Sequence, residues 1–208
     1  MALAFFATSC QQENLEPVIG GNTVTYTVQV PDAIATKALG DDVNAVNELV
    51  YEVYRTVDAE ETEFTSVDNL LYHKTATIDN GVATIELEFV NDQNFTVLFW
   101  AHTAGNNVYD VDDLTDVKIA TSATANNQAA QAFVGRDFVI DCVSKQNGKV
   151  TLVRPISQLN IATTPSSLVI ENQTTVGLEG SSVTVSGLST TYNIAVLAAG
   201  EVEDVVYE

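Results

Sequence analysis

Two histidines, a group of four aspartates and two cysteines are the side chains best equipped for metal, acid–base or nucleophilic chemistry in this 208-residue chain. His73 and His102 lie in separate strand-like segments. Neither has neighbours at a spacing that would complete a metal's ligand set, so both read as surface or internally satisfied sheet histidines. Asp110, Asp112, Asp113 and Asp116 are spaced somewhat like a calcium loop. The glycine and the closing bidentate glutamate that such a loop needs are absent, and a turn followed by a capped short helix explains the acids better. Cys142 falls in the apolar run Phe138-Val139-Ile140-Asp141-Cys142-Val143, where a cysteine acts as a small buried apolar residue rather than a nucleophile. Trp100, inside the run Val97 to Ala101, reads as a core ring rather than a sugar platform. With no phosphate-binding glycine loop and no nucleophile elbow, the expectation is a chain that is not an enzyme and that takes no metal and no cofactor.

Cys10 carries a different chemistry. It ends the apolar run Leu3-Ala4-Phe5-Phe6-Ala7 through the small pair Thr8-Ser9, the order of a bacterial lipoprotein signal whose cysteine is lipidated and becomes the new N-terminus. Residues 1–10 are read as that signal. Residues 11–21, with the polar and acidic stretch Gln11-Gln12-Glu13-Asn14-Leu15-Glu16-Pro17, are read as a tether between lipid and folded body. Cys142 then has no intramolecular partner, which excludes a disulfide framework. No later segment holds the ~18 uninterrupted apolar residues of a membrane-spanning helix, so attachment to the outer membrane is expected through the N-terminal lipid alone.

The elements that must position these residues are mostly strands. An apolar fraction of 46% is ample for a packed core. The 28 acidic against 8 basic side chains give a net charge of −20, which repels phosphate backbones and excludes nucleic acid as a partner. Val24, Tyr26, Val28 and Val30 alternate with polar residues, as do Ala83, Ile85, Leu87 and Phe89, the signature of half-buried strands. Further strands are expected at Leu49 to Val57, Leu70 to Ile78, Phe95 to Ala101, Val117 to Thr121, Phe138 to Val143, Val150 to Val153, Gln158 to Ala162, Val183 to Val185 and Tyr192 to Leu197. Asp79-Asn80-Gly81 and Gln146-Asn147-Gly148 read as hairpin turns. One helix is expected around Asn126 to Phe133, where Ala and Gln dominate. The fold class is therefore mostly all-β: an antiparallel β-sandwich in transthyretin-like or Greek-key style with one short helix. The break at Arg154-Pro155-Ile156 divides it into an N-terminal β-sandwich domain, 22–155, and a partial second β domain, 156–208.

In order along the chain stand Cys10 with its tether, the strand Val24 to Val30, and Ala35-Thr36-Lys37-Ala38. Thr96-Val97-Leu98-Phe99-Trp100-Ala101-His102, Tyr109-Asp110-Val111-Asp112-Asp113-Leu114-Thr115 and Val153-Arg154-Pro155-Ile156-Ser157-Gln158-Leu159-Asn160 follow. Together they resemble the Bacteroides-type fimbrillins, lipoprotein precursors of type V pili. The resemblance implies two β-sandwich domains and assembly by donor-strand exchange. A protease removes the first strand of the lipidated precursor, and a neighbouring subunit's strand fills the groove. On that implication Val24, Tyr26, Val28 and Val30 form the displaced strand, and a trypsin-like cut between Lys37 and Ala38 frees it. An unpaired sheet edge is most cheaply satisfied by another strand, which gives the scheme its physical sense.

The leading function is thus a fimbrillin-like cell-surface lipoprotein, a pilus subunit serving adhesion. Its partners would be other subunits by strand exchange, the lipid anchor, and a host or bacterial surface ligand. The alternative is a non-polymerising outer-surface lipoprotein that binds glycans or host proteins on its loops.

Overall fold

The apolar run around Trp100 becomes the strand on which the molecule is layered. The computed structural model describes residues 21–31, 46–56, 70–91, 93–124, 130–139, 142–155 and 183–207. Its strands, in chain order, are β1 (Asn22–Gln29), β2 (Glu48–Thr56), β3 (Leu70–Thr77), β4 (Val82–Phe89), β5 (Asn94–His102), β6 (Tyr109–Asp110) and β7 (Val117–Ile119). After a 3-10 turn at Thr121–Thr124 come β8 (Ala132–Val139), β9 (Asn147–Thr151), β10 (Val183–Ser189), β11 (Thr191–Asn193), β12 (Ala198–Ala199) and β13 (Val202–Tyr207). All nine residues of β5 are buried. A strand with one wet face alternates; this one does not, because sheets cover both of its faces.

The central sheet has the order β3-β2-β5-β8 and is antiparallel throughout. Against one face lies the sheet β4-β1-β9, and the core between them holds Val24, Tyr26 and Val28 with Leu49, Val53, Val97 and Phe99. Against the other face lies the sheet β12-β11-β7-β6, enclosing Val50, Leu98 and Trp100 with Leu114, Val117 and Ile194. Odd and even positions of β2 and β5 therefore feed two different cores, as the two-residue period of a strand requires. Burying each large side chain here stabilises the fold by about 1.5–3 kcal/mol. A two-stranded ribbon, β10-β13, completes the described residues.

The expected all-β sandwich is thus observed, with a third layer added. The Asp79-Asn80-Gly81 hairpin is present. Asp79 and Val82 exchange backbone hydrogen bonds of 3.0 Å, and Asn80 and Gly81 take φ of 50° and 77°, the geometry of a type I′ turn. Several local expectations are corrected. The helix placed at Asn126 to Phe133 fails at its C-terminal end, since Ala132 and Phe133 open β8. Their ladder to His102 and Ala101 overrides the helical propensity of alanine. Residues 126–129 of that helix lie outside the described residues.

The strand expected at Phe138 to Val143 stops at Val139, and a turn follows at residues 142–144. Gln146-Asn147-Gly148 is no hairpin. Asn147 and Gly148 already belong to β9, which pairs with β1 in one sheet while β8 pairs with β5 in another, so the two strands are not the arms of one hairpin. The strand expected at Tyr192 to Leu197 ends at Asn193. Residues 194–197 turn, with Leu197 at φ 53°, and the chain returns through β12. The acid-rich segment turns without the expected helix, because Asp113 accepts from the backbone N–H and the hydroxyl of Thr115 (2.8 and 2.6 Å) and β7 begins at once. The strand expected at Gln158 to Ala162 lies outside the described residues.

Candidate functional site

β1 is the middle strand of its sheet. It pairs antiparallel with β4 from Asn22↔Phe89 to Gln29↔Val82, and parallel with β9 from Thr25↔Asn147 to Gln29↔Thr151. Bonds beyond the ladder extend this pairing. Val30 N–H donates to Gly81 O (2.9 Å), Thr25 N–H to Gln146 O (3.1 Å) and Leu152 N–H to Gln29 O (2.8 Å). Its alternation of Val and Thr suits a strand with one face on a core, and Val24, Tyr26, Val28 and Val30 are 0–3% exposed. Lifting out these residues would leave a slot about 26 Å long, walled by the opened edges of β4 and β9 and floored by the central sheet.

The largest side chain in that slot is Tyr26. Its ring meets Phe99 at 5.6 Å between centroids and passes directly over Gly148 of β9. A Cβ on Gly148 would sit 2.3 Å from the Tyr26 ring, so only glycine permits the approach. The hydroxyl donates to Asp137 Oδ2 (2.8 Å), and Lys145 Nζ binds the same oxygen while lying 5.8 Å from the ring centroid. Burial first, and then the neighbouring Asp137 carboxylate, push the Tyr26 phenol well above its ordinary range.

A second polar cluster ties the central sheet to the third layer. Glu52 of β2 is fully buried, and its carboxylate accepts from Tyr54 Oη (2.6 Å), Leu114 N–H (3.1 Å) and His73 Nδ1 (2.8 Å). A carboxylate can only accept, so Nδ1 of His73 carries the proton. Burial, followed by Glu52, raises the Tyr54 phenol well above its ordinary value. His102, also buried, holds Glu48 through Nε2 (2.8 Å) and stacks on Tyr109, which Trp100 meets edge-on at 5.0 Å. Trp100 is a core ring with no exposure. Cys142 is buried with its thiol 3.5 Å from Val90 O, in a turn rather than a strand.

The aspartates at 110–116 serve their own turns. Asp112 N–H donates to Asp110 (3.2 Å), Asp113 holds Thr115, and Asp116 pairs with Lys118. Among the described residues no group of three or more His, Cys, Asp or Glu could hold a metal ion. Cys10, Lys37 and Ala38 lie outside the described residues. Asp137, Lys145 and Glu52 are not singled out from sequence, and Gly148 reads there only as part of a turn. The signal for Gly148 was there, but Asn-Gly reads first as a turn. The one available signal for Glu52 is that it is an acid inside the otherwise apolar stretch Leu49 to Tyr54.

The model of a family described as "Family of unknown function (DUF6562)" matches residues 16–205 of the chain. No curated protein matches it. Among solved structures, a fimbrial assembly protein from Parabacteroides distasonis ATCC 8503 aligns at 12% identity and a TM-score of 0.41, covering 90% of this chain and 73% of that one. A candidate polysaccharide-binding protein (DUF1812) from Bacteroides thetaiotaomicron VPI-5482 aligns at 14% identity and a TM-score of 0.37, covering 63% of this chain. The chain spans 47% of the length of the latter.

Proposed function

The chain belongs to that family of unknown function, DUF6562, and we propose that it is a fimbrillin-like cell-surface lipoprotein, a pilus subunit that assembles by donor-strand exchange and serves adhesion. The observation that carries the reading is the position of β1. It is the first described strand, it is central in its sheet, and it contributes a continuous row of four buried side chains. Removing a strand so placed breaks two ladders at once and leaves two facing edges. Such a slot has one inexpensive filling, another strand with the same alternation. Lys37, which follows β1 in sequence, is the site of the maturing cut in this reading, and Cys10 is the lipid-bearing residue of the precursor.

The test is the intact mass of the protein recovered from the surface of the native cell, with a denaturing gel of the same material. The expected result is a species beginning at Ala38 that runs as a ladder of multimers. A uniform lipidated species beginning at Cys10, monomeric on the gel, would instead favour the non-polymerising surface lipoprotein that holds glycans or host proteins.

A further inference from the structure

Period-two alternation alone does not fix where a strand sits in the slot. A shift of one residue turns the threonines of β1 inward and is excluded by burial. A shift of two keeps valine facing the core at most positions, because Val24, Val28 and Val30 are nearly equivalent. Only Tyr26 differs, and only one row of the slot is built for it. Opposite it on β9 stands Gly148, whose missing Cβ makes room for the ring, and on β4 stands Ile85. Moved two residues one way, the tyrosine would stand on the Val150 and Ala83 row; moved the other way, on the Leu87 row. In each case a valine would be left over Gly148, too small to reach Phe99 or Asp137.

We infer that the corner formed by Gly148, Asp137, Lys145 and Phe99 is a tyrosine-specific socket, which sets both the register and the identity of the strand that occupies the slot. Its ligand is an extended strand of the pattern apolar-x-Tyr-x-apolar-x-apolar. Within one chain that strand is β1. In trans it is a strand of a second subunit that presents tyrosine to Gly148, and this half of the inference rests on the strand-exchange reading. The socket favours the ring over aliphatic side chains through the floor left by Gly148. It favours tyrosine over phenylalanine through Asp137, whose carboxylate is held by Lys145 and would lose a donor.

The experiment uses the full chain with a specific protease site placed between residues 32 and 45, cut so that β1 remains seated without a covalent link. Labelled peptides copying Asn22 to Val30 are offered in exchange, with Tyr26 kept or replaced by Phe or Leu. The tyrosine peptide is expected to displace β1. The Phe peptide should bind roughly tenfold or more weakly, and the Leu peptide roughly a hundredfold or more. In parallel, Tyr26→Phe, Tyr26→Leu and Gly148→Ala are melted in the uncut chain, and each is expected to lower Tm by about 3 °C or more.

The two ideas fail differently. If the cut chain exchanges no peptide while Tyr26→Leu and Gly148→Ala still lower Tm, strand exchange falls and the socket stands as an internal register lock. If the three peptides exchange with equal affinity, or the three variants melt with the native chain, the socket is overturned whatever becomes of the pilus.

Discussion

Three buried tyrosines make the stability of this protein depend on alkali. The hydroxyl of Tyr26 donates to Asp137, that of Tyr54 to Glu52, and that of Tyr109 to the backbone oxygen of Ala130. Burial is the first cause in all three of a phenol raised above its ordinary 10.0, and a carboxylate adds to it for the first two. The folded state therefore keeps these protons where the unfolded chain gives them up. Their contribution is fully present below pH 10 and is lost as pH rises beyond it. Each tyrosine steepens the loss by about 1.4 kcal/mol per pH unit, so the three together give a slope of about 4 kcal/mol per unit. Denaturant unfolding between pH 9 and 12 should show this fall, and Tyr109→Phe should make it shallower by about 1.4 kcal/mol per pH unit. A stability flat across that range would mean that the phenols ionise in the folded protein too.

Elements differ as sharply in how they are held. β1 is bonded on both sides and buried along one face, whereas β10 and β13 pair only with each other among the described residues. β13 leaves Val202 and Val206 at 62% and 56% exposure, and it is tied inward through Tyr207 Oη, which donates to Thr121 O (3.0 Å), and through Glu203, which accepts from the Thr121 hydroxyl. Two-stranded ribbons are marginal unless something covers them. Amide exchange followed by mass spectrometry on the full chain should thus find β1 protected to the level of global unfolding and the ribbon opening locally, faster by orders of magnitude. Equal protection would mean that the ribbon is covered. The same contrast explains which elements could be read in the sequence. β1, β4 and β5 were legible because alternation or continuous apolarity follows directly from which faces are buried. The helix at Asn126 to Phe133 and the turn at Asn147-Gly148 misled because composition reports local preference, whereas β8 and β9 are strands through partners more than thirty residues away. The socket was half legible: Tyr26 lay in a clear strand, but that Gly148 faces it depends on a parallel pairing that no local pattern encodes.

At the scale of the whole molecule the dominant fact is a charge of −20 with 28 acidic and 8 basic side chains. Two of the described cations and both histidines are paired with carboxylates within the fold: Lys145 with Asp137, Lys118 with Asp116, His73 with Glu52 and His102 with Glu48. Most carboxylates are left to repel one another across the surface, and compaction brings them closer than the unfolded chain does. Screening over a Debye length of about 10 Å at 0.1 M salt relieves the folded state more than the unfolded one. Tm should therefore climb by several degrees between 10 mM and 500 mM sodium chloride, the reverse of what a surface rich in ion pairs would give. The same repulsion opposes the approach of two copies, so on the strand-exchange proposal an exchange limited by encounter should speed up with salt. The two effects can be told apart, because added salt also stabilises a seated β1 and so slows its departure. An exchange rate limited by departure would fall as Tm rises, whereas one limited by encounter would rise with it. Measuring both along one salt series shows which step the charge governs, and a Tm that falls with salt would overturn the repulsion argument itself.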